Sequence, residues 1–286
     1  MPVRIDPFFH EPSFTVSYLV SDPGSGTGAV IDPVLDFDAK AARTSSRAAD
    51  AILAFAAEAG IRIAWVLETH PHADHLTAAQ HIKRATGAAV AIGGGVAQVQ
   101  AFFDKIFDGT NDGGENCGFD RLLGDGERLP LGALEIEVMH TPGHTPACVT
   151  YRIEDAAFVG DTLFMPDYGT ARTDFPGGDA RQLYRSIRRI LALPPETRLF
   201  MCHDYKAPGR DRFAWETTVA AQRAGNVHIR DGVSEEDFVR MRTARDAKLD
   251  MPALILPAIQ VNIRAGRLPP PEANGIRYLK LPLDCF

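Results

Sequence analysis

Thr69-His70-Pro71-His72-Ala73-Asp74-His75 places three imidazoles and one carboxylate within the six residues from His70 to His75. Neutral imidazole and carboxylate are the donors that borderline ions such as Zn(II) and Fe(II) accept. A solution-facing backbone offers no packing reason to gather them. Upstream, residues 63–67 read as a buried strand, and downstream residues 76–85 read as a helix. The run therefore sits on a strand-to-helix loop, where a rigid scaffold commonly presents chemistry. Pro71 biases His70 away from helical backbone, so this is not the helical H-E-x-x-H pattern with ligands one turn apart.

Working outward, residues 14–20 alternate as a half-buried strand, and residues 29–31 form a second strand ending at Asp32-Pro33. Residues 46–59 predict a helix with Ile52, Phe55, Ala56 and Ala59 on one face and Gly60 as its stop. A strand at 88–92 and a helix at 96–107 follow, then a Gly-, Asn- and Asp-rich loop over 108–120. Strands are expected at 134–139, around 149–151 and at 156–159, the last running into Gly160-Asp161. The stripe Leu183, Ile187, Ile190, Leu191 predicts a helix over 179–193, with Asp179 as N-cap and Pro194 ending it. A strand at 198–201 delivers His203, and helices are expected at 215–224 and 235–247. Two groups of strands interleaved with helices call for two sheets packed between helical layers, an α/β class. The whole of 1–286 reads as one domain, with the proline-rich 251–286 wrapping the body.

Composition narrows the function. With 45% hydrophobic and 23% charged residues, the chain can bury a sizeable core. A net charge of −7 argues against nucleic acid, which needs a basic footprint. Four scattered cysteines without a C-x-x-C pair fit reduced thiols rather than a disulfide framework. The N-terminus is polar, with no signal-peptide pattern, and no apolar run approaches the roughly 20 residues of a membrane span. A cytoplasmic, membrane-free protein is expected.

Four further segments end strands with ligand-type residues. They are His140-Thr141-Pro142-Gly143-His144-Thr145, Gly160-Asp161-Thr162-Leu163-Phe164, Arg172-Thr173-Asp174-Phe175 and His203-Asp204-Tyr205. Singly each is weak, since a lone strand-end His is usually a satisfied structural residue. In this order behind His70 to His75, they resemble the metallo-β-lactamase superfamily, whose signature runs H-x-H-x-D-H, His, Asp, late His. The resemblance implies an αββα sandwich with its metal site at one edge. Seven positions match: His70, His72, Asp74, His75, His144, Asp161 and His203.

A finer resemblance, joined by Asn262-Ile263-Arg264-Ala265-Gly266, is to the persulfide dioxygenases. The loop between Asp161 and Arg172 is similar to a bacterial branch labelled β-lactamase-like hydrolase. This resemblance implies one Fe(II) on His70, His144 and Asp161, a two-His, one-carboxylate face that leaves adjacent positions for persulfide and O2. The implied reaction oxidises the terminal sulfur of glutathione persulfide to sulfite, releasing glutathione. His72, Asp74, His75 and His203 then orient ligands and handle protons, and Tyr205 is a candidate hydrogen-bond donor. Arg172 suits the substrate's carboxylates, a structural salt bridge being its alternative, and Asp174 fixes a neighbouring His or Arg. Family members are often homodimers.

Arg181, Arg185, Arg188 and Arg189 read as a solvated helix face, and Cys148 and Cys202 as small buried hydrophobes. Two rivals stand beside the dioxygenase. One is a dinuclear thioester hydrolase similar to glyoxalase II, using all seven positions. The other is a sensor that binds persulfide without turnover. A β-lactamase fits less well, because such enzymes are normally exported.

Overall fold

Alternating apolar residues decide the layers. In the computed structural model, which describes residues 2–107 and 115–285, the N-terminal half runs β1 (Arg4–His10), β2 (Thr15–Asp22), β3 (Thr27–Ile31), β4 (Val34–Asp38), β5 (Arg43–Ser45) and α1 (Arg47–Glu58). It continues with β6 (Arg62–Glu68), β7 (Leu76–Thr77), α2 (Ala79–Thr86), β8 (Ala89–Gly93), α3 (Val96–Phe107) and β9 (Arg121–Leu123). The second half holds β10 (Arg128–Leu131), β11 (Leu134–His140), β12 (Val149–Ile153), β13 (Ala156–Phe158), α4 (Ala180–Ile190), β14 (Arg198–Phe200) and β15 (Glu216–Thr218). Helices α5 (Val219–Gly225), α6 (Glu235–Asp246) and α7 (Ile255–Asn262) complete the described elements.

Two six-stranded sheets result, ordered β1-β2-β3-β6-β8-β9 and β10-β11-β12-β13-β14-β15, with a small β5-β4-β7 sheet beside them. Period-two alternation sends Val16, Tyr18, Val20, Ala29 and Ile31 inward, against Val149, Tyr151, Ile153, Phe158 and Phe200 of the opposite sheet. The other face of the first sheet, with Leu19, Val30, Val66 and Val90, packs on Ile52, Ile82, Phe103 and Ile259 of α1, α2, α3 and α7. The other face of the second sheet, with Ala157, Leu199 and Met201, packs on Leu183, Val219 and Phe238 of α4, α5 and α6. The architecture is thus an αββα sandwich, as the resemblance implied.

Local signals explain the helix ends. Asp179 caps α4 by accepting from Gln182 N at 2.7 Å, and Gly60 stops α1 with φ +68°. Two expectations are corrected. Residues 76–85 are not one helix: Leu76 and Thr77 pair with Leu35 and Val34 before α2 begins. Residues 215–224 likewise split, because Glu216, Thr217 and Thr218 pair with Phe200, Leu199 and Arg198 as an edge strand. The proline-rich tail contains α7, whose Ile255 and Ile259 enter the core. Of the expected 108–120 loop, residues 108–114 lie outside the described residues, and Glu115–Gly118 form a single 3₁₀ turn. Among the described residues, no helix is long and apolar enough to cross a membrane.

Candidate metal centre

Parallel strands gather the site. β3 and β6 are parallel, as are β13 and β14, so their C-terminal ends release Asp32, the His70 loop, Asp161 and His203 toward one edge. There the two sheets are stitched together: Val16 N donates to Cys202 O at 2.7 Å, beside a bridge between Thr15 and His203. Two glycines permit the approach. Gly160 has φ +53°, and a Cβ there would lie 2.6 Å from Thr69 Oγ1. Gly143 has φ +141°, and a Cβ would lie 2.4 Å from Leu183 N and Cα.

The imidazole loop is not solution-facing, which corrects the expectation from sequence. His70, His72, His75 and His203 are at most 2% exposed, and His144 and Asp161 are nearly as buried. One side chain closes the loop. Asn262 Nδ2 donates to His72 O and His75 O, both at 2.7 Å, while its Oδ1 accepts from Thr77 N at 2.9 Å.

Each ring has an outward nitrogen pinned by an acceptor, which fixes the tautomer. His144 Nδ1 donates to Arg172 O at 2.8 Å, and His203 Nδ1 to Phe14 O at 3.3 Å. Thr69 Oγ1 gives its proton to Asp32 Oδ2 and so accepts from His70 Nδ1 at 3.0 Å. His72 is turned the other way, with Nε2 donating to Asp32 Oδ1 at 3.0 Å and lying 3.4 Å from Glu68 Oε2. His75 Nδ1 lies 3.4 Å from both Thr15 Oγ1 and Asp74 Oδ2. What remains are bare, buried atoms. His70 Nε2, His72 Nδ1, His75 Nε2, His203 Nε2 and Asp161 Oδ1 have no hydrogen-bond partner among the described residues.

Unpartnered buried polar atoms cost on the order of 1–3 kcal/mol each, and their convergence fits a cation. His70 Nε2 and His144 Nε2 stand 3.9 and 3.8 Å from Asp161 Oδ2, with the donors of all three within 4.8 Å of one another. His72, Asp74 and His75 form a second such group. His203 joins the two, its Nε2 3.4 Å from Asp74 Oδ2 and 3.5 Å from Asp161 Oδ1. The matched seven thus lie together.

Protonation suits ligation at His70 and His75. Burial, then the neighbouring imidazoles, hold His70 well below the ordinary histidine range, and burial lowers His75 to about 4. His72 goes the other way: burial would lower it, but Asp32 and Glu68 outweigh that and raise it well above. Burial alone would raise Asp74, yet His203 and His75 keep it well below the usual carboxylate range. Burial pushes the Cys148 thiol up to about 12 and Cys202 higher than usual as well, so neither is a ready nucleophile.

A cavity of about 430 Å³ opens on Asp74, His144 and Asp161. Tyr205 lines it, with its ring stacked on His203 at 5.5 Å and 15°. Arg172 lines it too, but its fork is closed: Nε and Nη2 donate to Asp174 at 2.5 and 2.6 Å, and Nη1 to Asp250 O at 2.7 Å. Arg242 is committed to Asp246 and Thr170 O. Arg245 is the exposed guanidinium in the lining with no ion pair among the described residues. Sequence reasoning gave Arg245 and Asp32 no part. Asp32 is the anchor of the site, accepting from Thr69, His72 and Cys202 at φ +50°. Its one local signal was an acid closing a strand just before proline. His140 donates from Nε2 to Leu123 O at 2.9 Å.

An αββα sandwich with a buried imidazole and carboxylate cluster at one edge defines a class of metal-dependent proteins. The chain belongs to the metallo-beta-lactamase superfamily, whose family model matches residues 10–203. It is 58% identical to a probable metallo-hydrolase of Burkholderia pseudomallei, over 99% of this chain and 100% of that one. It is 46% identical to Glyoxylase B2 of Dictyostelium discoideum, over 98% and 97%. The human mitochondrial persulfide dioxygenase ETHE1 is 30% identical over 93% and 89%. Among solved structures, ETHE1 from Myxococcus xanthus superposes with a TM-score of 0.74 at 30% identity, over 92% of this chain and 100% of that one.

Proposed function

We propose that this protein is a persulfide dioxygenase. Glutathione persulfide, O2 and one water would give glutathione, sulfite and two protons, the terminal sulfur being oxidised and O2 reduced. The observation that carries the reading is the His70, His144 and Asp161 face, two imidazoles and a carboxylate, of which His144 and Asp161 line the cleft. That donor set suits a single Fe(II), which when bound supplies the redox chemistry between sulfane sulfur and O2. Similarity to the persulfide dioxygenases supports it.

The chain's own residues then divide the work. Arg245 offers its open guanidinium to a substrate carboxylate, while Arg172, braced by Asp174, holds His144 through its carbonyl. Tyr205, raised by burial and then by Asp74 and Asp161, keeps its proton and can donate it as a hydrogen bond. His72, Asp74, His75 and His203 orient the ligand face and hold protons beside it. A homodimer in the cytoplasm is part of the same reading.

Sulfite yield tests it: one sulfite per O2 consumed is expected, and O2 consumption without sulfite would refute it. Arg245→Ala should raise KM for glutathione persulfide about tenfold with little change in kcat, the signature of lost uniform binding. An unchanged KM would remove Arg245 from the substrate site.

A second reading has its own support. The donor set of a dinuclear centre is complete, with His203 Nε2 within 3.5 Å of Asp161 Oδ1, and one relative carries the name Glyoxylase B2. A thioester hydrolase would cleave S-lactoylglutathione without O2. Persulfide binding with neither activity would leave the sensor.

A further inference from the structure

A second cavity, of about 750 Å³, lies away from the cleft, between the β5 end, the start of α2 and the turn after α7. Arg84, Arg264, Arg267 and Arg277 line it together with the hydroxyl residues Thr44 and Ser45. Among the described residues no Asp or Glu lines it. In a chain of net charge −7, four guanidiniums around one cavity is a local reversal of sign, and such concave basic surfaces focus potential on an anion. Of the carboxylates beside lining residues, Asp50 is engaged by His81 Nε2 and Ser46 Oγ, both at 2.7 Å, and Asp120, which interacts with Arg267, is held by Lys83 Nζ at 2.6 Å. Arg277 donates to Pro269 O, a neutral acceptor. Among the described residues neither Arg84 nor Arg277 is ion-paired.

The walls are built rather than incidental. Gly266, at φ +85°, lets the turn after α7 close on Thr77, where a Cβ would lie 3.0 Å from Thr77 O. Thr77, itself part of the lining, donates through Oγ1 to Glu68, the neighbour of His72. We propose that this cavity binds a small polyanion, a metabolite bearing two or more phosphate or carboxylate groups. Guanidinium forks accept either group bidentately, and the volume exceeds the needs of one inorganic ion while matching an organic ligand.

Calorimetric titration of the metal-loaded full chain at 0.15 M salt tests it, with fructose 1,6-bisphosphate and citrate as probes. Saturable one-to-one binding of at least one probe is expected, and which one binds separates phosphate from carboxylate recognition. Affinity should fall at least tenfold in Arg84→Ala/Arg277→Ala. The single variant Arg84→Glu, at an exposed position of α2, should show the same loss. Saturation by neither probe, or affinity unchanged in both variants, would overturn the proposal.

Discussion

 Asn262 lies 190 and 187 positions from His72 and His75, whose carbonyls its Nδ2 holds, so closure of the imidazole loop rests on one side chain. Removing that side chain strands two buried carbonyls and the Thr77 amide. Asn262→Ala should therefore cost about 2–3 kcal/mol of unfolding free energy, read by urea denaturation, and loosen metal retention in a chelator challenge. Stability within about 0.5 kcal/mol of the parent would show that the loop holds itself. Tyr205→Phe removes one oxygen from the cleft and leaves the ring on His203. The metal should stay bound while kcat falls about tenfold, and an unchanged kcat would leave Tyr205 only a packing role. At this scale the sequence was half legible. The imidazoles and Asp161 announce themselves by residue type and spacing, whereas Asp32 and Arg245 gain meaning only from what folding brings beside them.

Among elements, the segment between Leu163 and Thr170, whose ends are joined by an antiparallel bridge, forms one wall of the cleft through Phe164 and Tyr168. It is fastened by His228, whose Nδ1 accepts from Thr170 N at 3.0 Å. Burial, then Arg242 and Arg245, lowers His228 to about 4. A histidine whose folded value is depressed binds its proton more readily when unfolded, so its contribution is present above pH 6.5 and is lost as pH falls toward 4. Urea unfolding at pH 7 and pH 5 should thus show a smaller loss of stability in His228→Gln than in the parent. Equal losses would mean that His228 titrates normally. Elements whose burial is set locally were readable: α3 follows its own apolar stripe, and Asp179 marks the start of α4. Those set by a distant partner were not. β1 depends on pairing with β2, and β15 on pairing with β14, although Trp215 to Ala224 looks helical in isolation.

For the whole molecule, two sheets meeting at one edge bring seven donors from the ends of four strands, β6, β11, β13 and β14, into a single cluster. The fold class was legible because strands and helices alternate in two groups, and four layers are the arrangement that buries every apolar face. The reaction was less legible, since the same seven donors serve one metal or two. Metal content and oxygen chemistry separate these outcomes. The most direct measurement is anaerobic metal analysis of the purified chain followed by oxygen-electrode recording on adding glutathione persulfide. About one iron per chain with rapid O2 uptake, both lost in Asp161→Ala, is the predicted result. Two metal ions per chain, or iron-loaded protein that takes up no O2, would contradict it.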